Sequence, residues 1–220
     1  MTHPDHTALP AFATRVLPVI ALDDARQAVP LARALLAGGI DAMEITLRTA
    51  AAIGAIEAVA REVPDMVVGA GTVTQPSDVP RLIDAGARFA LSPGCTDALV
   101  DAVRATGLPF VPGVMTPSEA MRARDAGFGL LKLFPARVAG GLAWLRAVRG
   151  PLPDLRFCPT GGLQPDDLQT YLAEPNVALV GGSWLTPADA LAQGDWARIT
   201  ALAREATGGF ASDAAGTIAA

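Results

Sequence analysis

Short apolar runs alternate with Ala- and Leu-rich stretches along almost the whole chain, and this alternation constrains the fold more than any other feature. Each run is rich in Val, Ile or Leu, as β-strands are, and each following stretch carries apolar residues at helical spacing. The predicted strands are 16–22, 42–48, 66–72, 89–94, 109–114, 130–135, 156–161 and 177–182. A strand–helix alternation of this kind predicts a parallel sheet that is covered by helices.

Capping residues and glycines mark the predicted helix boundaries. Segment 116–119 (Thr-Pro-Ser-Glu) combines a hydroxyl cap with a proline in the first turn, which is a common helix start. Similar starts are predicted at 23–24, 75–78, 96–97, 164–167 and 186–187. Helix ends are predicted at Gly38-Gly39, Gly86, Gly107 and Gly127, because glycine adopts the left-handed cap most easily.

The number of strand–helix units indicates the architecture. Eight units in one chain of 220 residues favour a closed (β/α)8 TIM barrel that forms a single compact α/β domain. The alternative is an open Rossmann-like sheet, but no G-x-G-x-x-G motif follows the first strand. We expect an N-terminal cap or short helix in 1–14, the barrel in 15–207, and a flexible, disordered tail in 208–220, where Gly, Ala and Ser predominate.

Charge and rare residue types exclude several classes of protein. A net charge of −5 argues against general binding to nucleic acids or anionic membranes, and we find neither an apolar stretch of about 18 residues nor a signal peptide. Cys95 and Cys158 lack metal-type spacing and are interpreted as reduced thiols of a cytoplasmic protein. His3 and His6 both lie in the polar N-terminal segment, so we do not expect histidine catalysis or histidine metal ligation.

Lys132 is the single lysine among 17 Lys and Arg residues, and it lies in the apolar run Leu-Leu-Lys-Leu-Phe-Pro. An ammonium group can lose its proton when it is desolvated, whereas a guanidinium group effectively cannot. A genomic bias toward Arg could also leave one lysine by chance. However, a buried, unpaired ammonium is costly, and perturbed ionisable groups gather at functional sites. The position of Lys132 therefore indicates an amine that is used in chemistry.

A carboxylate is expected to face this amine. Glu44, Thr46 and Arg48 share one face of the second predicted strand, and Lys132 and Phe134 share one face of the sixth. In a barrel, alternate strands contribute to the same interior layer. Glu44 and Lys132 are therefore predicted to point inward from opposite walls, as an acid/base and a nucleophile. A purely structural buried ion pair is the alternative.

Two further groups of residues at strand ends predict anion binding. The guanidinium of Arg48 fits a carboxylate or a phosphate, with the hydroxyl of Thr72 beside it, although a salt bridge at the barrel rim is the alternative for Arg48. Glycines after the seventh and eighth strands free backbone N–H groups, and phosphate sites recur there in barrels of this kind. The predicted phosphate-binding residues are Gly161, Gly162, Gly182 and Ser183.

These segments together resemble the 2-keto-3-deoxy-6-phosphogluconate (KDPG) aldolase family, also called 4-hydroxy-2-oxoglutarate (KHG) aldolases, from about residue 16 to residue 185. The resemblance implies a class I lyase of the Entner-Doudoroff pathway, on a (β/α)8 barrel, without metal or other cofactor, and usually trimeric. The motifs that carry it are VLPVIAL (16–22), GGIDAMEITLRT (38–49), GAGTV (69–73), SPG (92–94), PGVMTPSE (112–119), KLFPA (132–136), PTGG (159–162) and VGGSWL (180–185).

The resemblance also implies a role for each residue of the site. Lys132 would form a Schiff base with the C2 carbonyl of a 2-keto acid, and Glu44 would be the general acid/base. Arg48 and Thr72 would hold the carboxylate at the pyruvate end, and Phe134 would lie against the imine. The remaining implied substrate and phosphate contacts are Pro93, Thr160, Gly161, Gly162, Gly182 and Ser183. The expected partners are the sugar acid phosphate, pyruvate, glyceraldehyde 3-phosphate and two further copies of the chain.

The sequence departs from the family pattern at two positions and leaves several other functions open. Thr160 matches the phosphogluconate-type enzymes and not the valine of the phosphogalactonate-type enzymes. Arg137 stands where an acidic or small residue is common, and Leu133 stands where Phe is common. A phosphogalactonate aldolase, activity on unphosphorylated 4-hydroxy-2-oxoglutarate, a phosphosugar isomerase or epimerase that uses Glu44 without covalent catalysis, and a non-catalytic sugar-phosphate-binding protein are the other hypotheses.

Overall fold

A computed structural model describes residues 9–208 of the 220-residue chain. Its strands are β1 (Val16–Ile20), β2 (Ala42–Thr46), β3 (Val67–Gly71), β4 (Ala90–Leu91), β5 (Phe110–Val111), β6 (Gly113–Val114), β7 (Leu130–Leu133), β8 (Arg156–Pro159) and β9 (Val180–Gly182). Its α-helices are α1 (Ala28–Ala37), α2 (Ala52–Glu62), α3 (Asp78–Asp84), α4 (Asp97–Thr106), α5 (Pro117–Asp125), α6 (Gly141–Arg149), α7 (Leu168–Leu172), α8 (Ala188–Gln193) and α9 (Trp196–Gly208).

All paired strands are parallel, as the strand–helix alternation predicts. Six strands form one sheet in the order β5-β4-β3-β2-β1-β9, and three form a second sheet in the order β6-β7-β8. Isolated parallel bridges also join Phe157 to Val177 and Thr160 to Gly181. The fold is therefore an α/β fold with a curled parallel sheet and helices on its outer face.

The fifth predicted strand is divided at Pro112. Residues before it pair with β4, whereas Gly113 pairs with Lys132 on β7. Proline has no N–H to donate to a ladder, but the carbonyl of Pro112 accepts a hydrogen bond from Lys132 N at 2.9 Å. One short segment therefore changes partners and connects the two sheets, which the prediction of an uninterrupted strand missed.

The expectation for 1–14 is a cap or a short helix, and the described part of this segment, residues 9–14, contains no helix. Phe12 is instead buried, and its ring lies 6.2 Å from the ring of Phe89. A buried aromatic contact of this kind holds irregular backbone in place without helical hydrogen bonds. Residues 1–8 and the predicted tail after Gly208 lie outside the described residues.

The helix boundaries follow the predicted caps closely. Thr116 accepts a hydrogen bond from Glu119 N, and the Glu119 carboxylate accepts one from Thr116 N, so α5 begins with a reciprocal capping box. Thr96 caps α4, and Gly107 ends the same helix in the left-handed conformation. The sequence signals at these positions therefore determine local structure directly.

Two apolar clusters divide the core between the faces of the strands. The larger cluster packs the helices against side chains such as Met43 and Leu131. The smaller cluster contains Leu17, Ala42 and Leu130. Ala42 directly precedes Met43, and Leu130 directly precedes Leu131, so their side chains lie on the opposite strand face. Glu44 and Lys132 share this second face, two residues closer to the carboxyl ends of their strands. Among residues 9–208, no helix is both long enough and apolar enough to cross a bilayer.

Candidate active site

The centre of the candidate site is a buried ion pair between β7 and β2. Lys132 Nζ donates a hydrogen bond to Glu44 Oε1 at 3.0 Å, across 88 residues of sequence. Lys132 is 3% exposed and Glu44 is 0% exposed, so water screens neither charge effectively. The two strands belong to different hydrogen-bonded sheets, so the pair forms only because the sheets curl toward each other.

Small residues on neighbouring strands leave room for these two long side chains. Lys132 lies in register between Gly113 on β6 and Cys158 on β8. A Cβ atom on Gly71 would overlap Glu44 Oε1, and its nearest other neighbours would be Cδ and Cγ of the same carboxylate. The position of the Glu44 carboxylate therefore depends on the absence of a side chain at Gly71.

The two carboxylate oxygens of Glu44 have different surroundings. Oε1 is paired with Lys132, whereas Oε2 is buried and has no hydrogen-bond partner among the described residues. A buried acceptor without a donor is costly. Oε2 is therefore the atom of the pair that can accept a proton or a hydrogen bond from a bound molecule.

Phe134 covers one side of the amine. The centre of its half-buried ring lies 5.5 Å from Lys132 Nζ, which is within the range of a cation–π contact. The carbonyls of Thr160 and Gly161 accept hydrogen bonds from Ala136 N at 2.8 Å and Arg137 N at 3.1 Å. These bonds tie the loop that carries Phe134 to the loop that follows β8.

The predicted carboxylate-binding residues follow two adjacent strands. Arg48 is exposed directly after β2, and it forms no ion pair within residues 9–208. Thr72 follows β3, is half-buried, and has a positive φ of 58°. Such a φ is strained for a β-branched residue, and strain of this kind is concentrated at functional sites.

Thr160 and Cys158 lie on the β8 side of the pair. Thr160 is buried, and its hydroxyl donates to the carbonyl of Cys158 at 3.3 Å. Burial raises the pKa of the Cys158 thiol to about 11, so this thiol stays protonated at neutral pH. Half-buried Cys95, near Asp97 and Glu119, also has its pKa raised to about 11, mainly by burial. Neither thiol is therefore activated as a nucleophile.

The predicted phosphate-binding glycines lie after β8 and in β9. Gly161 and Gly162 both have positive φ values, 102° and 79°, which a residue with a side chain rarely adopts. Gly182 is buried at the end of β9, and Ser183 after it is exposed. The bridge between Thr160 and Gly181 brings the two segments side by side.

Pro93 lies on the β6 side of Lys132, in the loop after β4, where it is half-buried. A Cβ on Gly113 would overlap the carbonyl group of Pro93, so these two loops are in close contact. The buried hydroxyl of Ser92 accepts a hydrogen bond from Gly113 N at 3.2 Å. Pro93 is therefore held beside the strand that neighbours Lys132.

Sequence reasoning missed the residues that shape the site without reacting. The sequence places Gly71, Gly113 and Ser92 within predicted strands and family motifs but indicates no individual role for them. A signal for the glycines was present, because glycine within a strand often marks a close approach of another group. Which group approaches could not be read from the sequence, because the neighbours of Gly71 and Gly113 in space are distant in the chain.

The arrangement combines an amine, a carboxylate in hydrogen-bond contact with it, and polar loops on both sides. An amine that transfers its proton to a neighbouring carboxylate becomes a nucleophile toward carbonyl carbon. Among residues 9–208, no three His, Cys, Asp or Glu side chains cluster as a metal site would require.

Comparison with known proteins agrees with this geometry. The sequence model of the KDPG and KHG aldolase family matches residues 11–202. The 2-dehydro-3-deoxy-phosphogluconate aldolase of Pseudoalteromonas atlantica is 50% identical over 196 residues, which are 89% of this chain and 91% of that enzyme.

Solved structures agree as well. The KDPG aldolase of Legionella pneumophila, with pyruvate captured at low pH as a covalent carbinolamine intermediate, is 45% identical with a TM-score of 0.85, over 87% of this chain and 93% of that chain. The enzyme of Zymomonas mobilis ZM4 with 3-phosphoglycerate is 42% identical with a TM-score of 0.82, over 87% of this chain and 90% of that chain. This chain therefore belongs to the KDPG and KHG aldolase family.

Proposed function

We propose that this chain is a class I aldolase that cleaves 2-keto-3-deoxy-6-phosphogluconate to pyruvate and D-glyceraldehyde 3-phosphate. The observation that carries the proposal is the buried contact of 3.0 Å between Lys132 Nζ and Glu44 Oε1, with no donor to Glu44 Oε2 among residues 9–208. An amine and a carboxylate in contact supply the nucleophile and the proton acceptor that Schiff-base chemistry requires.

The chemistry follows from proton transfers within this pair. Lys132 passes a proton to Glu44, and the neutral amine attacks the C2 carbonyl to form a carbinolamine. Protonation and loss of its hydroxyl as water leaves an iminium, which accepts the electron pair of the C3–C4 bond as that bond breaks. Glu44 supplies the proton that leaves with this water and is again a carboxylate, so one of its oxygens takes the proton of the C4 hydroxyl, the aldehyde leaves and an enamine remains. Protonation at C3 and hydrolysis then release pyruvate and the free amine.

Flanking residues would hold the two ends of the substrate. We assign the carboxylate of the pyruvate end to Arg48 and Thr72, because a guanidinium and a hydroxyl on adjacent strand ends suit a carboxylate. Phe134 would cover the imine, and Pro93 and Thr160 would contact the carbon chain. This assignment keeps Lys132 beside the carbon that it attacks.

The phosphate end is assigned to the glycine segments after β8 and β9. Backbone N–H groups of Gly161, Gly162, Gly182 and Ser183 would bind it, as glycine-rich segments do in other phosphate sites. The relative from Zymomonas mobilis, solved with 3-phosphoglycerate, supports a phosphorylated three-carbon end. The carbinolamine of pyruvate in the Legionella pneumophila enzyme supports covalent attachment at the other end.

Three further properties are proposed together with the activity: barrel closure, oligomeric state and cellular location. Closure of the curled sheet into an eight-stranded barrel is supported by the partner change at Pro112 and by the bridges from Phe157 and Thr160 to the β9 segment. A homotrimer is supported by exposed apolar side chains at Met115, Met121 and Val138, on elements that follow neighbouring strands. Two free thiols support a reducing, cytoplasmic location.

Borohydride trapping tests the mechanism. Pyruvate with borohydride should add one reduced pyruvate unit to the peptide that contains Lys132, which is the only lysine of the chain. The matched control is Lys132→Arg, which keeps a positive charge but should give neither adduct nor retro-aldol cleavage. Full cleavage activity in Lys132→Arg would refute the mechanism. The phosphogluconate, phosphogalactonate and 4-hydroxy-2-oxoglutarate substrates should be assayed side by side to rank their kcat/KM values.

A further inference from the structure

Charges in the loops that follow the carboxyl ends of the strands are distributed unevenly. We call these segments the carboxyl-edge loops: 21–27, 47–51, 72–77, 92–96, 115–116, 134–140, 160–167 and 183–187. Their cationic residues are Arg26, Arg48 and Arg137. Arg26 is neutralised by Asp24 at 2.7 Å, whereas Arg48 and Arg137 form no ion pair within residues 9–208. Two arginines are therefore available at this edge of the molecule, and one of them, Arg137, has no role in the proposed function.

Arg137 lies directly against the glycine segment after β8. Its backbone N–H donates to the carbonyl of Gly161 at 3.1 Å. A Cβ on Gly162 would lie 2.9 Å from Cβ and 3.4 Å from Cδ of Arg137, so the aliphatic stem rests on the Cα of Gly162. Arg137 is an exposed residue, so its stem brings a positive charge next to the segment to which we assign the phosphate.

Two acidic residues follow the same segment closely in the chain. Asp166 and Asp167 belong to the same carboxyl-edge loop, and Asp167 accepts a hydrogen bond from Gln164 N at 2.8 Å. The pKa of Tyr171 is raised by burial, with Asp167 raising it further and Arg137 lowering it, so both charges lie near this phenol. Without Arg137, the two loops that follow β7 and β8 would contain two carboxylates and no cation.

We propose that Arg137 is a specificity-determining residue, whose guanidinium group favours substrates that carry a phosphate at the end remote from the 2-keto group. This inference rests on the proposed function, and it adds a side-chain charge to a site otherwise built from backbone N–H groups. A charge on an exposed side chain acts through solvent, so its contribution should be modest and should weaken as salt increases.

The test compares two substrates that differ only in the phosphate, 2-keto-3-deoxy-6-phosphogluconate and 2-keto-3-deoxygluconate. In Arg137→Ala, the ratio of their kcat/KM values should fall about fivefold, through KM of the phosphorylated substrate, and the loss should shrink at about 0.5 M salt. Arg137→Lys should retain most of the ratio, because it keeps the charge. The matched control is Arg149→Ala, an exposed arginine at the far end of α6, which should leave the ratio unchanged.

An unchanged ratio in Arg137→Ala, or an equal fall in Arg149→Ala, would overturn the inference and leave the proposed function standing. Binding of glycerol 3-phosphate, measured by calorimetry, requires no turnover. It therefore tests the phosphate-binding role of Arg137 even if the proposed function fails. If the unaltered protein cleaves neither substrate but binds glycerol 3-phosphate about fivefold more tightly than Arg137→Ala does, the proposed function fails, and only the contribution of Arg137 to phosphate binding stands. Equal binding by both proteins, without turnover, would overturn both.

Discussion

The carboxylate of Glu44 occupies the space beside Gly71 that a side chain at Gly71 would fill. Glu44 lies on β2 and Gly71 at the end of β3, and the two strands are paired in parallel register. Oε1 of this carboxylate accepts a hydrogen bond from Lys132 Nζ, so a glycine on the neighbouring strand determines where the carboxylate meets the amine. Positioning of this pair therefore depends on a residue that has no chemistry of its own.

Gly71→Ala should lower kcat at least about 100-fold, because displacement of a reacting group by about 1 Å can have an effect of that size. The measurement is steady-state cleavage together with the rate of borohydride trapping. Gly54→Ala, within helix α2, is the matched control, since in the described part of the chain a Cβ there would meet only Ala25, at 3.7 Å. That variant should keep its activity and gain about 0.5–1 kcal/mol of stability. Normal kcat in Gly71→Ala would contradict the positioning role.

Removal of one member of the buried ion pair should destabilise the protein strongly. Lys132→Met leaves the Glu44 carboxylate buried without its partner, and this situation typically costs about 3–5 kcal/mol. Glu44→Gln combined with Lys132→Met should recover most of that loss, because no uncompensated charge remains. Urea unfolding of the two single variants and the double variant measures the coupling. A destabilisation of the double variant equal to the sum of the two single values would mean that the charges do not interact.

The capping box of α5 should contribute a pH-dependent part of the stability. The N–H of Met115 lowers the pKa of Glu119 below its ordinary value, and the N–H of Thr116 adds to this effect. The folded state therefore favours the ionised carboxylate. Its contribution should be present above about pH 4.5, the ordinary pKa of Glu. It should be lost as the pH falls through the lower folded-state pKa.

Glu119→Gln isolates this contribution, because glutamine can also close a capping box but carries no charge. Unfolding free energies of the two proteins should differ at pH 7 and converge in acid. A difference that stays constant down to pH 2 would show that the charge of Glu119 is not involved.

The buried thiol of Cys158 should have the opposite pH dependence. Its pKa is raised by burial to about 11, against an ordinary value of about 8.5, so the fold favours the protonated form. Stability linked to Cys158 should therefore be present below about pH 8.5 and decline as the pH rises toward 11. In a Cys95→Ala background, iodoacetamide should modify native Cys158 far more slowly than the unfolded chain at pH 8.5. Equal rates would contradict burial of this thiol.

Local features of the fold were predictable because their causes are local. The predicted starts of β1, β2, β7 and β8 match the observed ones, since apolar runs that follow a glycine or a loop begin pairing at once. Most predicted strands are too long at their carboxyl ends, because the chain leaves the sheet there to form loops. Pro112 was not recognised as a point of partner change, because that change depends on which strands lie on either side in space.

The sequence by itself determined the alternation of strands and helices, the caps, and the single lysine in an apolar strand, because each depends on residues near one another in the chain. Tertiary structure decided which groups meet Lys132. Contact with Glu44, 88 residues away and on a strand that is not hydrogen-bonded to β7, requires the whole sheet to curl. The room beside Gly71 and the packing of Arg137 on Gly162 likewise depend on long-range packing, which no local pattern encodes.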